Sequence, residues 1–85
     1  MKEVRYVITD VLGIHARPAG LLVKKLAGFS GDVRVGSREK SVDGKSIFAV
    51  MGLGLRHGDE MKLTFSGSGE DEAAAEIESF LAATL

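Results

Sequence analysis

The stretch Gly13-Ile14-His15-Ala16-Arg17-Pro18-Ala19-Gly20-Leu21-Leu22-Val23-Lys24-Lys25-Leu26 is where the chain changes its period. Before it, apolar residues alternate one by one with polar ones. From Ala19 on they recur as Ala19, Leu22, Val23 and Leu26, the i, i+3, i+4, i+7 spacing of one helix face. Gly13 lets the chain turn sharply between the two regimes. Pro18 fits the first helical turn, where an N–H has no intrahelical partner to lose. The spacing predicts a helix over Ala16–Ala27, stopped at Gly28, with His15 as N-cap and Arg17 in the first turn. Gly20 inside it costs roughly 1 kcal/mol against alanine.

Upstream, residues 3–9 place Val4, Tyr6 and Ile8 on one face and Arg5, Val7 and Thr9 on the other, a half-buried strand. Residues 10–13 form the loop into the helix. Downstream, Phe29 to Asp32 make a turn, and Val33 and Val35 flank Arg34 in a second strand. Ser37 to Lys40 connect it to a short third strand, Ser41 to Asp43, and Asp43-Gly44 is a turn signal. Ser46 is placed as the N-cap of a short helix, Ile47 to Met51, ended by Gly52 and Gly54. Met61, Leu63 and Phe65 alternate with Lys62, Thr64 and Ser66 in a fourth strand. After the turn at residues 67–69, Glu70, Asp71 and Glu72 suit the start of a last helix, whose apolar face is read as Ala73, Ile77, Phe80 and Leu81. The order is βαββαβα. Short alternating strands want one face covered and one exposed, so the fold class is α+β: an open-faced β-sandwich, a four-stranded antiparallel sheet covered on one face by three helices.

The start of the first helix is also the chemically richest point. Helix N-termini present free N–H groups and a partial positive charge, a ready site for anions such as phosphate. A neutral imidazole placed there is a nucleophile. The Arg17 guanidinium can hold phosphoryl oxygens in a fixed donor geometry. Together they suggest a histidine that accepts and passes on a phosphoryl group; an ordinary capping histidine is the plain alternative.

Composition narrows the classes. The chain has 85 residues, enough for one domain and too few for two, and 45% are hydrophobic, which supports a packed core. A net charge of −1 gives no reason to expect nucleic acid or an anionic membrane as partner. There is no cysteine, which fits the cytoplasm, and no signal-peptide pattern or bilayer-length apolar run. No metal or other cofactor is expected. His57 reads as a loop histidine without a second ligand at metal spacing, and the glycines around it lack the lysine and serine of a nucleotide-binding loop. A hydrolase using His15 as base would need a paired serine or cysteine nucleophile, and none is evident.

Gly-Ile-His-Ala-Arg-Pro-Ala at residues 13–19 resembles the active-site signature of the HPr family, histidine-containing phosphocarriers of the bacterial sugar phosphotransferase system. A second signature, Lys45-Ser46-Ile47 leading to Met51-Gly52-Leu53-Gly54, falls at the expected distance, and the resemblance covers essentially the whole chain. It implies a single phosphocarrier domain over residues 1–85, cytoplasmic and monomeric, not an enzyme with its own small-molecule turnover. By the same resemblance, His15 takes a phosphoryl group on Nδ1 from enzyme I, charged by phosphoenolpyruvate, Arg17 stabilises it, and enzyme IIA receives it. The family also implies regulation at Ser46 by an HPr kinase/phosphorylase and docking to a catabolite-control transcription factor; geometry alone reads Ser46 as a plain cap. The alternatives are a paralogous carrier serving a nitrogen-related branch, or a regulatory module acting through Ser46. The chain departs from the family pattern at Leu12, where a small or polar residue is common, and at Asp43, where asparagine is.

A partner surface is expected from the short second helix. Val50 and Leu53 share one stripe and are assigned to the core, which leaves Ile47, Phe48 and Met51 outward. With Leu21 of the first helix they would form an apolar patch, both helix starts flanking His15. The competing reading folds Phe48 back into the core.

Overall fold

The computed structural model describes residues 1–85. Its elements are β1 (Lys2–Val7), α1 (Ala16–Ala27), β2 (Asp32–Gly36), β3 (Ser41–Asp43), α2 (Ile47–Gly52), β4 (Glu60–Ser66) and α3 (Glu70–Thr84). The strands form one antiparallel sheet in the order β1-β4-β2-β3, and with the three helices this is the open-faced α+β sandwich read from the alternation.

Register follows from burial. Val4 lies opposite Leu63, Leu63 opposite Val35, and Val35 opposite Val42, so one apolar row crosses all four strands. A slip of one residue would turn that row to water. On the other face Arg5 donates from Nε to Glu3 at 2.7 Å and from Nη1 to Glu60 at 3.2 Å. These pairs are exposed and add little stability.

Burial of the apolar face supplies the driving force, about 1.5–3 kcal/mol for each large aliphatic side chain removed from water. Met61, Leu63 and Phe65 of the central strand meet Leu22 and Leu26 of α1, Val50 of α2, and Ile77 and Leu81 of α3, all essentially inaccessible. Phe29, just past α1, packs edge-on against Phe65 with ring centroids 5.4 Å apart. No polar or charged residue is buried, so every candidate functional side chain belongs to the rim of this core.

Four details differ from the sequence reading. β1 ends at Val7 rather than Thr9, because the N–H groups of Thr9 and Asp10 donate to the Leu85 carbonyl oxygen at 2.6 and 2.8 Å and draw the chain towards the end of α3. The buried stripe of α3 is Ala74, Ile77, Leu81 and, just beyond it, Leu85, while Ala73 and Phe80 sit half-buried on its flank. That is a rotation of about one residue, which a run of three alanines cannot specify. α2 takes in Gly52 and is capped at Leu53; Gly54, at φ 65°, turns the chain away. Ile47 is half-buried rather than outward, because it packs over α1 at Gly20: a Cβ at Gly20 would stand 3.7 Å from Ile47 Cδ1, an ordinary packing contact. The helix glycine thus lies at the α1–α2 seam. No helix is long and apolar enough to cross a membrane.

Candidate functional site

The loop that delivers His15 is fixed almost entirely by backbone geometry. Gly13 has φ 66°, and a Cβ there would meet the Leu55 carbonyl oxygen at 2.6 Å and Arg56 Cα at 2.7 Å, so only glycine fits. The Gly13 N–H donates to the Asp10 carbonyl at 2.9 Å, and the Ile14 N–H to the Leu55 carbonyl at 2.9 Å. Half-buried Ile14 packs against the core and anchors the residue before His15.

His15 is the N-cap residue of α1, in extended conformation at φ −132°, ψ 174°, and its carbonyl accepts the first helical hydrogen bond from Ala19 at 2.9 Å. Its side chain does not cap. Nε2 instead turns back to Asp10 Oδ2 at 3.4 Å. The ring's other nitrogen, Nδ1, makes no hydrogen bond, and neither do the backbone N–H groups of Ala16 and Arg17. Pro18, the next residue, has no N–H to satisfy. The uncapped helix start therefore keeps two donors for an external acceptor.

Asp10 is the residue the sequence reading missed. Its Oδ1 accepts from the Leu12 N–H at 2.9 Å, and that bond, with a smaller contribution from His15, holds its carboxyl below the usual aspartate range. An acid two residues before an exposed leucine gave no local signal. Its place follows from the Leu85 clamp, formed by residues 75 positions away in sequence.

Around the imidazole lies a shallow recess of about 260 Å³ lined by Asp10, His15, Arg17, Pro18, Leu21, Ala83 and Thr84. Its far wall is the end of α3. No residue of α2 lines it; α2 meets α1 one turn further along, where Ile47 lies over Gly20. Arg17 is exposed on the first turn, free to swing over the helix start.

Three of the four residues expected outward are exposed. Phe48 is 88% exposed, Leu21 47% and Met51 39%, and the core reading of Phe48 is thereby excluded. Val50 is fully buried and Leu53 packs against the core, as their shared stripe required. Val11 and Leu12, at 83% and 69%, are also exposed, on the loop before His15.

Ser46 is a working N-cap: its Oγ accepts from the Ala49 N–H at 3.3 Å. The turn before it is closed by Asp43, whose Oδ1 accepts from the Lys45 N–H at 2.9 Å, while Lys45 Nζ donates to the Phe29 carbonyl at 2.7 Å. His57 is an exposed loop residue, and no group of three histidine, aspartate or glutamate side chains converges as a metal site would need. Glu70, in the acidic start of α3, accepts from the Gly67 N–H at 3.2 Å.

An imidazole, a guanidinium and two free N–H groups at one helix start of an open α+β sandwich have the chemistry of a surface anion site. Residues 2–83 match the family model described as the PTS HPr component phosphorylation site. The chain is 44% identical over 73 residues to phosphocarrier protein HPr of Lysinibacillus sphaericus, covering 86% of this chain and 83% of that one. It is 39% identical over 83 residues to phosphocarrier protein HPr of Mycoplasma genitalium, covering 95% and 93%. A crystal structure of HPr from Thermoanaerobacter tengcongensis superposes with a TM-score of 0.92 at 37% identity, covering 99% of this chain and 94% of that one. The chain belongs to the HPr family of the phosphotransferase system. It is a phosphocarrier, not an enzyme with a turnover of its own.

Proposed function

We propose that His15 is the phosphoryl acceptor, charged by enzyme I at the expense of phosphoenolpyruvate and discharged to an enzyme IIA domain in cytoplasmic sugar uptake, residues 1–85 working as one domain. The observation that carries this reading is that His15, with Nδ1 free of any hydrogen bond, stands as N-cap of a helix whose Ala16 and Arg17 N–H groups are unpartnered. A phosphoryl group on that nitrogen would find backbone donors in reach and the Arg17 guanidinium able to close over its oxygens. The transition state spreads charge over those oxygens, and donors already in place need no reorganisation to meet it.

The exposed side chains of Leu21, Phe48 and Met51, with the half-buried edge of Ile47, are assigned to docking of enzyme I and enzyme IIA. Ser46 is assigned a regulatory role through an HPr kinase/phosphorylase and a catabolite-control transcription factor. Its support is position: the hydroxyl sits at the first turn of the helix that carries Phe48, so a phosphate there would have to be desolvated when a partner covers that surface.

Incubation with enzyme I and phosphoenolpyruvate, read by intact mass, tests the assignment. The expected product is one acid-labile, base-stable phosphoryl adduct, absent in His15→Ala and formed more slowly in Arg17→Lys, which keeps the charge but loses the planar fork. An adduct that persists in His15→Ala would place the acceptor elsewhere.

A further inference from the structure

The geometry points to Asp10 as the positioning residue that sets the tautomer of His15, keeping the ring proton on Nε2 and the lone pair on Nδ1. This deepens the proposed function and rests on His15 as acceptor. A carboxylate offers only lone pairs, so its Oδ2, 3.4 Å from Nε2, favours a proton on that nitrogen. The neutral ring then has its nucleophilic lone pair on Nδ1, at a helix start whose Ala16 and Arg17 N–H groups are free. Asp10 is itself immobilised twice: Oδ1 accepts from Leu12, and its own N–H donates to the Leu85 carbonyl. The recess brings one other charged group to the ring, Arg17; Ala83 and Thr84 from α3 bring none.

In the transfer step the Nδ1 lone pair forms the new N–P bond while the bond from phosphorus to the donor breaks, its electron pair returning to the donor. The Nε2 proton stays on the ring, and the positive charge that develops there faces the Asp10 carboxylate. On discharge the same electron pair returns to Nδ1 as the acceptor's nucleophile takes the phosphorus.

The contact makes an unusual prediction about amide and methyl replacements. In Asp10→Asn the amide oxygen retains the Leu12 N–H, which turns the NH₂ group towards Nε2. A donor there demands a lone pair on Nε2 and moves the ring proton to Nδ1, the tautomer that cannot attack. Asp10→Ala removes the contact and leaves the ring its ordinary mixture of tautomers.

The experiment measures both variants against the wild type in two ways: ring ¹⁵N spectra of His15, and the rate of phosphorylation by enzyme I and phosphoenolpyruvate. The expected result is a ring proton on Nε2 in the wild type and on Nδ1 in Asp10→Asn, with transfer slowed roughly tenfold or more in Asp10→Asn and only about threefold in Asp10→Ala. Equal losses, the reverse order, or unchanged ring spectra in both variants overturn the assignment, since a loop-holding role alone would make Asp10→Ala the worse change. Failure of the wild type to take a phosphoryl group on His15 would sink the proposed function instead, and the ring spectra would still decide the Asp10 contact.

Discussion

Two helices of this molecule begin in the same way and end up with opposite chemistry. Ser46 and His15 are both N-cap residues in extended conformation. Ser46 spends its side chain inward, accepting from Ala49, and the helix start is closed. His15 turns its side chain outward to Asp10 and leaves the N–H groups of Ala16 and Arg17 open. The difference teaches that a cap is a choice between stability and binding. A satisfied N-cap is worth about 0.5–2 kcal/mol, and α1 forgoes that stabilisation where an anion can be received.

The sharpest way to break the contrast is to make the first helix resemble the second. In His15→Ser the hydroxyl can cap α1, so phosphoryl transfer should vanish while stability rises by about 0.5–1 kcal/mol. Denaturant unfolding beside the transfer assay checks it; a loss of stability would mean that the imidazole does hold the helix start. Next in size is the surface beside α2. Phe48→Ala should weaken enzyme I or enzyme IIA binding by about tenfold or more, as a central aromatic contact does. Its melting temperature should barely move, because Phe48 is 88% exposed. A large drop in melting temperature would show that the ring supports the fold.

At the closed cap the expectation inverts. Ser46→Ala should cost about 0.5–2 kcal/mol of stability and leave basal transfer intact. Ser46→Asp keeps a capping oxygen and should retain stability, yet weaken enzyme I docking through its added charge; titration calorimetry with enzyme I separates the two effects. The smallest effect is on pH dependence. Asp10 titrates below the ordinary aspartate range, chiefly through the Leu12 N–H, so it stabilises the fold above that range and the contribution fades as pH falls through its lowered value. Acid unfolding of Asp10→Asn should therefore run closer to that of the wild type at the acid end than at neutral pH. A gap that widens on acidification would reverse the sign.

Much of the fold was legible because period and punctuation agreed. The alternation in residues 61–66 and the spacing from Ala19 to Leu26 each admit one element, and the glycines between them mark the turns. What escaped depends on distant parts of the chain. The face of α3 is decided by which alanine meets the sheet, and Ala74 differs from Ala73 only in tertiary context. Ile47 is half-buried because α1 lies over it at Gly20. The identity of the N-cap residue of α1 was readable, but the direction of its side chain was not. That direction is set by Asp10, whose position is fixed through Leu85.

The Leu85 carbonyl oxygen also accepts from Thr9 Oγ1 at 2.8 Å, besides the two backbone N–H groups of Thr9 and Asp10. It follows that the loop before His15 and the final turn of α3 open as one unit. Helix ends fray at the low end of the local-unfolding scale. Amide hydrogen exchange at Thr9 and Asp10 should then keep the rhythm of the last helical turn, not of the strand that precedes them. Opening of the last turn of α3 would then release the loop that holds the imidazole in register for its partner.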